Sequence, residues 1–370
     1  MIIHAAWDGT QPLPEAFVAL PAQVYAGDPF WPGEDSDALR RDFAATNHWF
    51  AGGRAWLGVA PGTARLAGFF RPGQLVDGEP AAFFGYWECT ADSAAANDAL
   101  FAALAGWARE QGARRLYGPI NFTTYGNYRL RLDAFDDGAF PGEPWNPPHY
   151  AAQLARLGFD IRYRYFSTFN DTAAIVDAVK NDYLRVKPKL ETAVRLEAMT
   201  PEFWLANLDE LYGFVDQVFG GNFAYTPIDR ATFAAQCGTP FADRFCPRTS
   251  VLARAHDGRI AGFFLVYPDY GPLLRQGNPQ RVAAADLRYA THAGLLPRPR
   301  RALAKTGGVH PDFRALGLFT AMGCELTLRA EGLYEQIAGT LVREDNRSLN
   351  FAARHGTAAQ HAYALYVRAP

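Results

Sequence analysis

The sequence predicts two α/β domains in tandem, each a mixed sheet flanked by helices. Three observations carry this expectation. The chain has 370 residues, more than one ordinary core takes up. Hydrophobic residues make up 49% and aromatic residues 14%, enough to fill two packed cores. One order of elements runs twice along the chain: hairpin, strand, helix, strand, short helix, strand. The domains expected are 1–180 and 190–370, with the boundary region between about residues 175 and 195.

In the first half, a loop-like stretch over 28–34 precedes short strand-like runs at 55–59, 64–70 and 81–89. An amphipathic helix is expected over 92–111, because Leu100, Phe101, Leu104, Trp107 and Ala108 recur at intervals of three and four. Gly112 sits where a helix C-cap is expected. A strand at 115–118 leads into an aromatic, Asn- and Gly-rich loop over 119–148. A short helix over 149–157 stops at Gly158, and 159–169 alternates like a strand. Residues 171–192 are more polar and are expected to form an inter-domain helix or linker.

In the second half, 201–219 has helical periodicity. Asp257 and Gly258 stand between the apolar runs 250–255 and 260–267, a strong hairpin signal. A Pro- and Arg-rich loop over 296–301 precedes a strand reaching Val309. A helix is expected over 317–330, a strand over 336–342, a short helix over 346–355 closed by Gly356, and a last strand over 361–368.

Composition narrows the function classes. A net charge of −2 argues against a dedicated nucleic-acid binder. Cys89, Cys237, Cys246 and Cys324 have no CxxC spacing, so no structural zinc site is expected, and four free thiols suit a reducing cytosol. The N-terminus lacks the basic start and apolar run of a signal peptide, and no apolar stretch reaches the roughly 20 residues that cross a bilayer. The expected location is the cytoplasm, with no metal and no membrane partner.

The chemistry is expected in the second half. A strand ends at Val309, a turn runs through His310, Pro311, Asp312, Phe313 and Arg314, and Gly317 opens a helix. Such a turn points successive backbone N–H groups at one place, at the positive end of the helix dipole, which suits a pyrophosphate. Gly317 has no Cβ, so the backbone can approach a phosphate closely. These residues resemble the donor loop of the Gcn5-related N-acetyltransferase (GNAT) superfamily, in which Gln or Arg, two residues, Gly, one residue, and Gly or Ala lie between a strand and a helix. Arg314, Ala315, Leu316, Gly317 and Leu318 match the first five positions, and Phe319 departs from the final Gly or Ala. Further on, Glu344, Asp345, Asn346 and Ser348 resemble the family segment in which Asn contacts the coenzyme and a short helix lines its pantetheine arm. That helix often carries a Tyr, and none is present over 349–354.

The resemblance implies two tandem GNAT-like acyl-CoA N-acyltransferase folds. It implies an acyl-CoA, such as acetyl-CoA, held by Val309, Arg314, Ala315, Leu316, Gly317, Leu318, Phe319, Asn346 and Ser348, and acyl transfer to the amine of a small molecule. The first half resembles the fold more faintly. Its counterpart of the donor loop, 90–96, has neither Arg, Gln nor Gly and offers Asp92, expected to cap its own helix. The first half is therefore expected to be degenerate for donor binding. Glu344, His310 and Tyr363 are the candidate acid/base groups. Tyr125 and Tyr128, in the aromatic loop, are candidates for acceptor binding. Two other donors stay open: an aminoacyl-tRNA, suggested by Arg298, Arg300, Arg301 and Lys305, and an acyl carrier protein. A CoA-binding protein without catalysis is the alternative of another class.

Overall fold

A computed structural model describes residues 2–346 and 348–370. Arg347, within the segment 344–349 singled out above, lies outside the described residues.

The chain forms two compact units. The first runs up to Arg164 and adds Arg275–Gly277 and Tyr363–Pro370; the second comprises Tyr165–Leu274 and Asn278–Ala362. The first unit thus takes its closing strand from the C-terminus of the chain, and the second takes its first strand from the segment just after Arg164.

The strands of the first unit are β1 (Ile3–Trp7), β2 (Arg54–Ala60), β3 (Ala64–Val76), β4 (Glu79–Cys89), β5 (Arg115–Gly118) and the two-residue β6 (Leu130–Arg131). Its helices are α1 (Glu15–Val24), α2 (Ser36–Asp42), α3 (Ala94–Glu110) and α4 (Tyr150–Arg156). The second unit holds most of β7 (Asp160–Asp171), then α5 (Thr172–Leu190), β8 (Val194–Ala198), a short helix Pro201–Ala206, α6 (Leu208–Phe219), β9 (Val251–Ala255), β10 (Ile260–Pro268), β11 (Arg301–Val309), α7 (Leu318–Ala330), β12 (Gln336–Arg343) and α8 (Ser348–Arg354). The last strand, β13 (Ala359–Arg368), has its residues from Tyr363 onward in the first unit.

In the first unit the strand order is β1-β2-β3-β4-β5-β13, and in the second it is β7-β12-β11-β10-β9-β8. Each contains one parallel pair among antiparallel neighbours. In the first, β4 and β5 pair from Ala81↔Arg115 to Phe83↔Tyr117, after which β4 runs on to Cys89. In the second, β11 and β12 pair from Arg301↔Gln336 to Ala304↔Gly339, and both then continue unpaired with each other, to Val309 and Arg343. The element order expected twice is present up to the closing strands, where the structure differs: most of β7 lies in the second unit and the end of β13 in the first. Helix α3 covers the first sheet through Leu100, Phe101, Leu104 and Ala108, all buried. In the second, α5 and α7 share a core with β9–β11, and α6 packs a separate apolar cluster that includes Leu252, Phe263 and Leu265.

Some local expectations change. The helix expected over 201–219 breaks at Asn207, whose side chain donates to the Phe203 carbonyl. Residues 171–192 form a helix, α5, the first of the two forms expected for them, and Ile175 and Val179 of that helix lie in the second core. The loop-like opening is followed at once by α2, capped by Asp35, which accepts from the N–H groups of Asp37 and Ala38. Asp92 does not cap α3. The N-cap is Ser93, whose hydroxyl turns away to donate to the Thr90 carbonyl, and no side chain caps the helix.

Candidate functional site

The predicted donor loop has the expected backbone. His310 follows β11; its Nδ1 accepts from the Asp312 N–H, and a short 3-10 helix (Pro311–Leu316) carries the chain to Gly317. Gly317 lies in the left-handed region, φ +72°, and is the N-cap of α7. No side chain caps this helix, so the N–H groups of its first turn have neither an intrahelical nor a side-chain capping acceptor. A Cβ on Gly317 would meet nothing within 4 Å. Arg314 is exposed, and its Nε donates to the Val309 carbonyl at 3.3 Å, closing the loop against the strand. Phe319 does not stand in the loop's way: its ring packs on Phe264, centroids 4.8 Å apart, in the second core. Leu316 joins that core, Leu318 is fully buried, and Ala315 is exposed.

Glu344 lies just beyond β12, as His310 lies just beyond β11. Because these strands run parallel, both residues stand at the open, C-terminal end of the splayed pair. Asn346 accepts from the Ser348 N–H at 2.9 Å and so organises the entry to α8. Tyr363 belongs to the first unit. It is fully buried, and its hydroxyl donates to Glu143, which also faces the Arg131 guanidinium at 3.4 Å.

The first unit holds a cavity of about 500 Å³. Its walls include Tyr125 and Tyr128 from the aromatic loop, and Arg129, whose guanidinium lies over the Tyr128 ring at 3.6 Å. Other lining groups escaped sequence reasoning: Tyr25, Glu34, Asp42, Arg65, Glu88 and Tyr150. A bulge in β4 aims two of its residues here. Across from β3, Arg65↔Glu88 and Ala67↔Gly85 are paired, so Tyr86 and Trp87 together face Leu66. Tyr86 takes φ +45°, and its N–H donates to Asn121 Oδ1 at 2.8 Å. The extra residue shifts the alternation. Trp87 and Cys89 enter the core while Tyr86 and Glu88 line the cavity.

The polar contacts around Glu88 are dense. Tyr150 donates its hydroxyl proton to Glu88 Oε2 at 2.7 Å while accepting from the Cys89 N–H at 2.7 Å. Burial pushes the Glu88 carboxyl up to about 7. The nearby Arg65 charge and the Tyr150 and Tyr25 hydroxyls pull it down, and Glu34 adds to the rise. Arg65, only 1% exposed, makes a two-pronged contact with Glu34 at 2.7 and 2.8 Å and donates to the Phe17 carbonyl. The outward signals for these groups were faint: Glu88 sits in an apolar strand, and Tyr150 opens a helix with an apolar face.

Among the described residues, no cluster of His, Cys, Asp or Glu is arranged to hold a metal ion, and no helix is long and apolar enough to cross a membrane. All four cysteines are free.

No family model matches the chain. Protein YghO of Escherichia coli (strain K12) is 27% identical over 157 residues, which is 39% of this chain and 38% of that protein's length. Among solved structures, a probable N-acyltransferase from Enterococcus faecalis V583 aligns with all of this chain and 73% of its own, at 8% identity and a TM-score of 0.53. The GCN5-related glucosamine N-acetyltransferase region of a fungal multi-domain GH3 β-N-acetylglucosaminidase aligns with all of this chain and 38% of its own, at 14% identity and a TM-score of 0.52. A tandem GNAT protein from the clavulanic acid biosynthesis pathway aligns with all of this chain and 98% of its own, at 15% identity and a TM-score of 0.47. At these identities the likeness is one of fold.

Proposed function

We propose that this chain, which has the fold of GCN5-related N-acetyltransferases, transfers an acyl group from acyl-CoA to the amine of a small molecule in the cytoplasm. The observation that supports this best is the end of the splayed β11–β12 pair, where Gly317 at φ +72° opens an uncapped helix of 13 residues. Backbone N–H groups there suit a pyrophosphate, and the Asn346 segment follows the end of the neighbouring strand, β12.

The chemistry is a direct transfer. The amine nitrogen attacks the thioester carbonyl carbon, the C–S bond breaks, the thiolate leaves, and the new ammonium gives up a proton. Holding both substrates together supplies most of the acceleration. His310 and Glu344, at the ends of the two strands, are the groups proposed to carry the proton. Tyr363 is assigned no step, because its hydroxyl is held by Glu143 in the core of the first unit. Tyr125 and Tyr128 are proposed to bind the acceptor.

The basic stretch gives little support to a tRNA donor. Arg298 faces Glu335 at 3.3 Å, and Arg301 donates to Gln336 at 3.0 Å. An acyl carrier protein presents the same pantetheine arm and remains the second donor reading. The test is incubation with acetyl-CoA and a panel of small amines, followed by mass spectrometry. Amine-dependent release of CoA with formation of the amide is expected. Retention of CoA with no turnover of any amine would instead indicate a CoA-binding protein without catalysis.

A further inference from the structure

The cavity of the first unit has a charge pattern that singles out one class of ligand. Five carboxyl groups line it, those of Glu34, Asp35, Asp42, Glu88 and Glu143, against the guanidiniums of Arg65 and Arg129. Three of the carboxylates are engaged elsewhere. Glu34 meets Arg65, Asp35 caps α2, and Glu143 takes the Tyr363 hydroxyl, the Phe140 N–H and the Arg131 charge. Glu88 and Asp42 differ from these. Their hydrogen bonds come from tyrosine hydroxyls, Tyr150 at 2.7 Å and Tyr86 at 3.0 Å, and the cations near them, Arg65 for Glu88 and Arg41 for Asp42, make no hydrogen bond to them. The walls between them are aromatic. Tyr25 and Trp31 stack with centroids 5.0 Å apart and an interplanar angle of 10°, and Trp145 joins the lining.

We propose that this cavity binds a protonated amine carried on a flat, ring-sized body, with Glu88 and Asp42 facing the ammonium group and the Tyr25–Trp31 stack beside the ring. A cavity walled by low-dielectric groups focuses the field of its carboxylates, so it concentrates cations and repels anions. Aromatic faces add a cation–π attraction. About 500 Å³ lies within the range of small-molecule sites. The raised affinity of Glu88 for a proton has a consequence for binding. Below neutral pH an arriving ammonium meets a largely protonated Glu88, and the carboxyl proton passes to the buffer as the ion pair forms. The groups facing Glu88 are Arg65 and Glu34 on the charged side and Tyr25 and Tyr150 on the neutral side.

This inference rests on the reading that an amine is the acceptor, and its test needs no donor. The full chain is titrated by calorimetry with tyramine, with its neutral counterpart 4-ethylphenol and with the anion 4-hydroxyphenylacetate, in the absence of CoA. Tyramine is expected to bind at least about tenfold more tightly than 4-ethylphenol, and the anion is expected not to bind. At pH 6 the tyramine heat should depend on the buffer's ionisation enthalpy, reporting proton release. Glu88→Gln should weaken tyramine binding about tenfold and remove the proton release, with thermal melts confirming a folded variant. Asp42→Asn, a more exposed and milder change, should weaken binding while retaining proton release. Gly317→Asn should bind tyramine as the parent does. Equal or tighter binding of the phenol or the anion, or no tyramine binding at millimolar concentration, overturns the proposal. Tyramine binding without acyl transfer to any amine overturns the transferase reading and leaves the cavity's assignment standing.

Discussion

Tyr150 and Glu88 are joined by a 2.7 Å hydrogen bond from the first residue of α4 to the far end of β4. The same hydroxyl accepts the Cys89 N–H, so one side chain fixes both the carboxyl and the strand end that carries it. Burial holds the Glu88 carboxyl at about 7, above its ordinary value of 4.5. The folded state therefore binds this proton more tightly than the unfolded state does. The stability this contributes is full below about pH 4.5 and is lost as pH rises through about 7. Replacing Glu88 by Gln removes the titration. Thermal melts should show the variant gaining stability relative to the parent between pH 5 and pH 8. A difference that does not change with pH contradicts this account of Glu88.

The buried pair of Arg65 and Glu34 yields a second prediction. Arg65 is 1% exposed and Glu34 27%. Removing the guanidinium leaves the Glu34 carboxylate without its partner and the Phe17 carbonyl without its donor. Arg65→Met should lower the unfolding free energy by about 3 kcal/mol, measured by urea denaturation. A loss below about 1 kcal/mol would place the pair among weakly contributing surface contacts.

Gly85 tests the bulge that aims Glu88 into the cavity. A Cβ there would lie 2.3 Å from the Ile120 carbonyl oxygen and 2.7 Å from Asn121 Oδ1. Gly85→Ala should therefore displace the aromatic loop and cost about 2 kcal/mol. It should also loosen the cavity, seen as faster amide exchange at Tyr86, whose N–H is held by Asn121. Unchanged stability and exchange would mean that the loop does not hold the bulge.

At Gly317 the backbone and the space around it ask different things of a substitution. The space is open, but φ +72° strains a β-branched residue, whereas Asn tolerates the left-handed region. Gly317→Val should thus lower the melting temperature, and Gly317→Asn should stay close to the parent. If Val is tolerated as well as Asn, the left-handed turn is not what the loop uses.

Much of this was legible in the chain. The Asp257-Gly258 signal gave the β9–β10 hairpin, with Gly258 at φ +96° and the Ala255 N–H bonded to the Arg259 carbonyl. Periodicity gave α3 within two residues at each end. The strand ending at Val309, the turn after it and the helix opening at Gly317 also form as read, because each depends on local backbone preference. What the sequence did not reveal depends on distant partners. That β13 pairs with β5, or that β7 pairs with β12, leaves no local trace, since any apolar strand fits either neighbour. Glu88 reads as a stray charge in an apolar strand until the bulge at Tyr86 and the arrival of Tyr150, 62 residues later, give it a place.

One acyl-CoA is proposed to bind each chain, at the Gly317 loop. The corresponding turn of the first unit carries no glycine: α3 begins at Ala94, after its N-cap Ser93 and the exposed Asp92, a negative charge that repels a pyrophosphate. Isothermal titration of acetyl-CoA into the parent chain and into Gly317→Asn tests this most directly. One site per chain is expected in the parent, and loss of binding in a variant that remains folded. Two equivalent sites, or undiminished affinity in Gly317→Asn, would contradict it.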